Sequence, residues 1–398
     1  MNRSVFAGLL FLLLTAASAV AGPRVWLVHA SHTGGHRAAA QALAEALTET
    51  PGVSAQVIDM TSYLPATFRR LQTSAFDVMA RLLPNLRRKA FEQSIEGSEA
   101  TVSSATRGLA LKAFLSRSFL DRIRAEGPDV IVSTHSQANV MLSIWKKHGR
   151  FDQPLLCVVT DYDTHALWAR PEIDAYFVAC SRVRDALVRY GVEPSRISIT
   201  GIPVAPAFAR LPQVDPQAAR TLLHLDPDLP TVVMLGGSLG YGPWRQVVEA
   251  LESHGEPVQF LAMTGKNDAA RRELETMAPT LASVRLSVYG FVDRMFRFMD
   301  AADAVVTKPG GLTVTELLCR GRPMVVIAPS PGLEAHVTAA IVEMGVAQVV
   351  PDAAAAAAQA LAEARDPALQ EQRRIAIETW RRPGAVFDVA RAILSAAP

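Results

Sequence analysis

Short apolar runs rich in Val, Ile and Leu recur along the chain, and between them lie longer stretches whose apolar residues repeat with helical period. A strand buried on both faces reads as a continuous apolar run, and such strands alternating with helices are the sequence form of a parallel sheet. The runs predict strands at 24–30, 53–59, 130–134, 155–160 and 175–179, and a second series at 231–235, 258–264, 284–289, 304–307 and 324–328. Residues 203–230, rich in Pro and Asp, separate the two series and read as a linker with its flanks. The pattern predicts an α/β fold in which two doubly wound, Rossmann-like domains face a cleft. From 62 to 124 the strand pattern gives way to long helical segments, and the alanine run at 353–358 reads as helix.

Length agrees, because 398 residues exceed one ordinary core and favour two domains of roughly 150 to 200 residues each. With 49% hydrophobic and 20% charged residues the chain is not a disordered one, and 40 basic against 38 acidic residues exclude a strongly cationic nucleic-acid binder. Cys157, Cys180 and Cys319 show no CxxC spacing and lie in or beside apolar runs, which predicts reduced buried thiols and no zinc site. Residues 1–22 combine a basic start with an apolar stretch ending in small residues, the form of a signal peptide or a retained anchor; the first core strand follows at once. The helical stretch 62–124 carries Arg69, Arg70, Arg81, Arg87, Arg88, Lys89, Arg107, Lys112, Arg117, Arg122 and Arg124. This is either a solvated helix face or an insertion that lies on anionic lipid headgroups.

Chemistry concentrates where predicted strands meet glycine turns. The first strand runs into Gly34-Gly35-His36, and a helix opens there. Glycines let the backbone approach a ligand, and a helix start offers unpaired amides. His36 at that turn is either structural or a general base facing the cleft. The second series repeats the arrangement at Met234-Leu-Gly-Gly-Ser-Leu-Gly-Tyr-Gly242, where Gly236, Gly237 and Ser238 suit a diphosphate held by amides and a hydroxyl. At Thr307-Lys-Pro-Gly-Gly-Leu-Thr-Val-Thr-Glu316, Pro309 halts the strand, Gly310-Gly311 opens the turn, and a helix from about Leu312 aims its start at a phosphate. Glu316 would accept hydrogen bonds from both ribose hydroxyls, or else is an exposed acid that complements the helix dipole. Asp161, Asp163 and His165 follow a predicted strand end and either orient His36, touch an acceptor, or cap a turn and the next helix; His135 carries the same alternatives.

These stretches resemble the glycosyltransferases that make monogalactosyl- and glucosyl-diacylglycerol, and more distantly the N-acetylglucosaminyltransferase of peptidoglycan synthesis. The resemblance rests on Ser31-His-Thr-Gly-Gly-His-Arg-Ala38, Val159-Thr-Asp-Tyr-Asp-Thr-His-Ala-Leu-Trp168, Thr200-Gly-Ile-Pro-Val204, Gly290-Phe-Val292, the stretch from Thr307 to Glu316, and Pro331-Gly-Leu-Glu334. It implies the GT-B fold: an N-terminal acceptor domain at 23–205, a C-terminal donor domain at 206–380, and a last helix at 381–398 that returns to the first domain. It also implies a UDP-sugar as substrate, with uracil against the backbone near Phe291 and Val292, ribose on Glu316, and the diphosphate on Gly236, Gly237, Ser238, Gly311, Leu312 and Thr313. Glu334 would touch the sugar, His36 would be the base, and Gly35, Asp161 and His165 would serve the acceptor side. Neither a cofactor nor a metal is implied, since amides and helix dipoles take the place of a cation.

The resemblance further implies inverting hexosyl transfer to a diacylglycerol-type lipid. Leu333 stands where the family usually has Gln, which leaves the hexose open. Nucleotide sugars are made in the cytoplasm, so the catalytic domains are expected on the cytoplasmic face of the inner membrane, held by the N-terminal segment and the basic insertion. Two other readings stay open: a nucleotide-sugar 2-epimerase, and a non-catalytic nucleotide-sugar-binding scaffold, which export would favour.

Overall fold

The computed structural model describes residues 22–30, 34–69, 92–93, 99–237, 239–329 and 332–398. Residues 1–21, Ser238, Pro331 and the basic side chains of Arg70, Arg81, Arg87, Arg88 and Lys89 lie outside the described residues.

Two parallel six-stranded sheets carry the chain. The first is built from β1 (Arg24–His29), β2 (Ser54–Asp59), β3 (Val130–Ser133), β4 (Leu155–Val158), β5 (Ala175–Val178) and β6 (Ile197–Ile199), in the order β2-β1-β3-β4-β5-β6. The second comprises β7 (Thr231–Leu235), β8 (Val258–Met263), β9 (Val284–Tyr289), β10 (Ala304–Thr307), β11 (Met324–Ile327) and β12 (Ala347–Val350), in the order β12-β11-β10-β7-β8-β9. Every residue of β3, β4, β7, β8 and β10 is buried, as parallel strands covered on both faces must be. Each Val or Leu so buried contributes about 1.5 to 3 kcal/mol.

The expected strands are all present, and several end one or two residues early. Thr134 and Thr160 leave the sheet, and their backbones and hydroxyls serve the cleft instead. The edge strands β6 and β12 were not expected. One is only three residues long, and Gln348 interrupts the apolar run of the other.

Helices of the first half that matter below are α1 (Gly34–Thr48), α2 (Glu99–Leu115), α3 (Arg117–Glu126), α4 (Ser136–Lys147) and α5 (Ser181–Arg189). The span read as a linker holds two short helices, α6 (Ala207–Arg210) and α7 (Pro216–Leu222), and it is strapped to the second sheet's layer. Arg320 donates from Nη1 and Nη2 to the carbonyls of Leu211 and Pro212 at 3.0 and 2.9 Å, and Gln213 Nε2 donates to the Cys319 carbonyl at 2.9 Å. Arg320 is held in turn by Asp300, with Nε 2.6 Å from Oδ1, and both side chains are nearly inaccessible. The linker is therefore anchored to the second half, and the chain crosses between the sheets just before it and again near Arg382.

The crossing itself is tight. Gly201 has φ +89°, and a Cβ there would lie 2.7 Å from the Cβ of Arg382, so the outgoing and returning segments touch. Downstream come α8 (Trp244–His254), α9 (Asp268–Met277), α10 (Met295–Ala301), α11 (Gly311–Cys319), α12 (Leu333–Glu343), α13 (Ala353–Arg365), α14 (Pro367–Trp380) and α15 (Ala385–Ala396). Val386, Val389 and Ile393 of α15 share one core cluster with Val25, Leu27 and Leu43, which places the last helix on the first sheet. All three cysteines are free and buried.

The described part of the basic stretch is only partly solvated. Lys112 donates to Gln137, and Arg122 reaches Glu126, Tyr63 and Gln56 while lying over the Trp26 ring. Arg124 donates to the carbonyl of Arg150.

Breaking a buried ion pair leaves an uncompensated charge and costs about 3 to 5 kcal/mol. Asp300→Ala should lower stability by that order, because Arg320 at 1% side-chain exposure loses its counter-charge. Urea unfolding measures this, and a midpoint within error of the parent would show that the strap contributes little.

Candidate active site

His36 lies in the first turn of α1, half-buried at the carboxyl end of β1. Its Nδ1 is 2.8 Å from the carbonyl oxygen of Thr134 and 2.7 Å from Thr160 Oγ1. A carbonyl only accepts, so Nδ1 carries the hydrogen and Nε2 carries the free lone pair. Thr134 Oγ1 returns the contact by donating to the His36 carbonyl at 3.0 Å. The His135 ring stands edge-on at 4.4 Å, and Trp168 lies at 6.2 Å. Burial pushes the His36 pKa down to about 4 against the opposing pull of the Thr134 bond, so the ring is neutral at pH 7.

Thr134 and Thr160, not Asp161 or His165, hold this nitrogen. Asp161 is half-buried, and desolvation, aided by the charge of Asp163, raises its pKa to about 7. His165 is lowered to about 4, mainly by burial, and its ring lies tilted 6.4 Å from that of Trp168. Asp163 does more than cap a turn. It accepts the Thr164 amide at 2.7 Å and takes Arg182 Nε and Nη2 at 3.3 and 3.1 Å, while His336 Nδ1 stands 3.5 Å away on the opposite half. Arg182 also donates to Glu343 of α12 at 2.9 Å, so one guanidinium links the two halves. His135 caps α4, its Nδ1 accepting the Gln137 amide at 3.0 Å.

The halves meet closely at the start of α11. A Cβ on Gly311 would sit 2.0 Å from the Thr160 carbonyl oxygen, and one on Gly35 would sit 3.4 Å from Leu312 Cδ2. Thr315 Oγ1 donates to the Gly311 carbonyl at 2.8 Å and accepts from Tyr162 OH at 3.0 Å. The N-cap of α11, Gly310, makes no side-chain cap bond, and the amides of Gly311, Leu312 and Thr313 are those an α-helix leaves unpaired. Their combined partial charge suits this helix start to receiving an anion.

Beside it runs the loop after β7. Gly236 has no room for a side chain, since a Cβ would lie 2.4 Å from Trp244 Cζ2, and Gly237 adopts φ +67°. The Gly240 carbonyl accepts from Trp244 Nε1 and Asn267 Nδ2, both at 3.0 Å, which fixes the loop. Lys308 Nζ lies 5.4 Å from the Tyr241 ring centroid and bridges this loop to the turn before α11.

Glu316 is half-buried, not an exposed helix acid, and burial raises its pKa from 4.5 to about 7. Phe291 is 64% exposed in the loop after β9, with Val292 packed on the core behind it. Glu334 sits in the first turn of α12 beyond Gly332, whose φ of +101° only glycine adopts without strain. All these positions lie at the carboxyl ends of the second sheet's strands, where open α/β sheets bind ligands. Among the described residues no group of three or more His, Cys, Asp and Glu side chains is arranged to hold a metal ion.

Residues 36–204 match the family described as monogalactosyldiacylglycerol (MGDG) synthase, and residues 231–378 match the glycosyltransferase family 28 C-terminal domain. A probable monogalactosyldiacylglycerol synthase 2, chloroplastic, of Oryza sativa subsp. japonica is 27% identical over 94% of this chain and 80% of its own length. The processive diacylglycerol beta-glucosyltransferase of Bacillus subtilis is 31% identical over 52% of this chain and 53% of its own length. The two matched stretches together span most of the chain, which is thus similar along its length to monogalactosyldiacylglycerol synthases and diacylglycerol glucosyltransferases. Among solved structures, MurG of Acinetobacter baumannii superposes with a TM-score of 0.58 at 16% identity, over 94% of this chain and 99% of that one. A UDP-GlcNAc 2-epimerase from Neisseria meningitidis, bound to UDP-GlcNAc, gives 0.59 at 12% identity, over 94% of this chain and all of that one. These likenesses establish the GT-B fold and, at such identities, nothing finer.

The cleft carries an acid that prefers its proton when folded. Because the Glu316 pKa rises from 4.5 to about 7, its contribution is present below 4.5 and is lost as pH rises through 7. Glu316→Gln should therefore gain stability relative to the parent between pH 5 and pH 7.5. Paired urea titrations at the two pH values test this, and a constant difference would mean that the carboxyl titrates normally.

Proposed function

We propose that the protein transfers a hexose from a UDP-sugar to the hydroxyl of a diacylglycerol-type lipid, with inversion at the anomeric carbon and His36 as general base. The observation that carries this reading is the His36 ring, whose Nδ1 is tied to the Thr134 carbonyl so that Nε2 keeps its lone pair, on a turn whose Gly35 meets Leu312 of α11. The names of the relatives supply the acceptor class, and a UDP-sugar donor agrees with the UDP-GlcNAc bound by the epimerase of like fold.

In this reaction Nε2 takes the hydroxyl proton as the acceptor oxygen attacks the anomeric carbon from the face opposite the diphosphate. The bond from that carbon to the diphosphate oxygen breaks, and UDP departs with the electron pair. Amides of Gly236, Gly237, Gly311, Leu312 and Thr313, with the Ser238 hydroxyl, stabilise the developing charge, so no cofactor or metal enters the scheme. Glu316 accepts the ribose hydroxyls, the backbone at Phe291 and Val292 meets uracil, and Glu334 contacts the sugar. Gly35, Asp161 and His165 line the acceptor side. Incubation with UDP-galactose, UDP-glucose and UDP-N-acetylglucosamine and diacylglycerol vesicles should yield a glycolipid with at least one donor; hydrolysis of donor without glycolipid would overturn the acceptor assignment.

His36→Ala should lower turnover by roughly 10²- to 10⁴-fold, the loss expected for a positioned base, while donor affinity stays the same. At saturating donor the acid limb of the parent's rate profile should lie near pH 4, since the base form persists down to that pKa. A folded variant with near-parent turnover would remove His36 from the mechanism.

The protein is further proposed to work at an anionic membrane surface, on the cytoplasmic face. No helix among the described residues is long and apolar enough to cross a membrane. On α2, Leu111 and Phe114 are 53% and 62% exposed, and Arg117 lies 5.5 Å from the Phe114 ring centroid, a pairing of apolar and cationic groups suited to headgroups. Vesicle flotation should rise with anionic lipid content and fall with salt, and Phe114→Asp should weaken it. Binding indifferent to both lipid charge and this substitution would remove α2 from the membrane contact.

A further inference from the structure

Thr160 touches both halves of the cleft with different atoms. Its hydroxyl stands 2.7 Å from His36 Nδ1, and its carbonyl oxygen occupies the space that a side chain at Gly311 would need, 2.0 Å from the ideal Cβ. The residue is 2% exposed, so neither contact is shared with water. Two residues on, Tyr162 donates to Thr315 at 3.0 Å. Gly311 and Thr315 are one turn apart on the same face of α11, so residues 160–162 seat the opening turn of that helix.

We propose that Thr160 is a positioning residue that couples the seating of the donor helix to the aim of the base: its carbonyl receives Gly311 while its hydroxyl holds the His36 ring. This rests on the reading of His36 as base and of the α11 start as diphosphate site. The physical content is that α11 and the imidazole share one rigid backbone segment. A shift of the segment at Thr160 loosens one of the two hydrogen bonds that aim the ring, and a misplacement of about 1 Å is enough to cost a large factor in rate.

Thr160→Val keeps the shape of the side chain and deletes the hydroxyl. It should lower kcat about tenfold, the weight of one hydrogen bond, with the KM and calorimetric affinity for donor unchanged. Thr160→Ser, which restores the hydroxyl, should recover most of the rate. Gly311→Ala should lower kcat even at saturating donor, since its methyl group parts α11 from the Thr160 carbonyl. Parent kcat in Thr160→Val, or a Thr160→Ser enzyme as slow as the Val variant, overturns the coupling. If either result accompanies an inactive His36→Ala enzyme, the coupling alone has failed; an active His36→Ala enzyme overturns the base assignment and the coupling together.

Discussion

The two halves meet in a tight backbone contact, the Thr160 carbonyl against Gly311, and it dictates much of what surrounds it. No residue with a side chain fits at 311, so the first turn of α11 must open with glycine. That opening leaves unpaired amides at the junction rather than in solvent. The same approach brings Leu312 against Gly35 and Thr315 against Tyr162, so the helix start and the turn carrying His36 form one packed unit.

Desolvation at that unit sets the protonation states. His36 and His165 are pushed down to about 4, while Asp161 and Glu316 are pushed up to about 7. Burial is the leading cause in all four, and it disfavours whichever form is charged. The cleft thus holds neutral imidazoles and carboxyls that ionise near neutrality. The proposed UDP-sugar would bring its own charges to amides and helix dipoles, which need no reorganisation to receive it. Arg182 pairs with Asp163 and extends to Glu343 across the cleft.

Both sheets, the glycine turns and the family resemblance were legible from the chain alone, because a doubly covered parallel strand needs an unbroken apolar run and a phosphate turn needs glycine. β6 and β12 escaped notice because an edge strand is covered on fewer sides and tolerates Ser198 or Gln348. The linker's composition concealed its anchoring, since an arginine such as Arg320 reveals its partner carbonyls only when both are folded together.

What the sequence determined was which residues stand at the carboxyl ends of the strands, His36, Asp161, His165, Gly236, Gly311 and Glu316 among them, since local period and turn chemistry are written in neighbouring residues. Which of them act on one another was decided only by tertiary structure. Thr134 and Thr160 lie 98 and 124 positions from His36, and the sequence marks them only as polar residues at the ends of apolar runs. Their hold on the ring depends on the parallel order of β1, β3 and β4, which sets those strand ends side by side, and no local pattern encodes a contact made through a neighbouring strand.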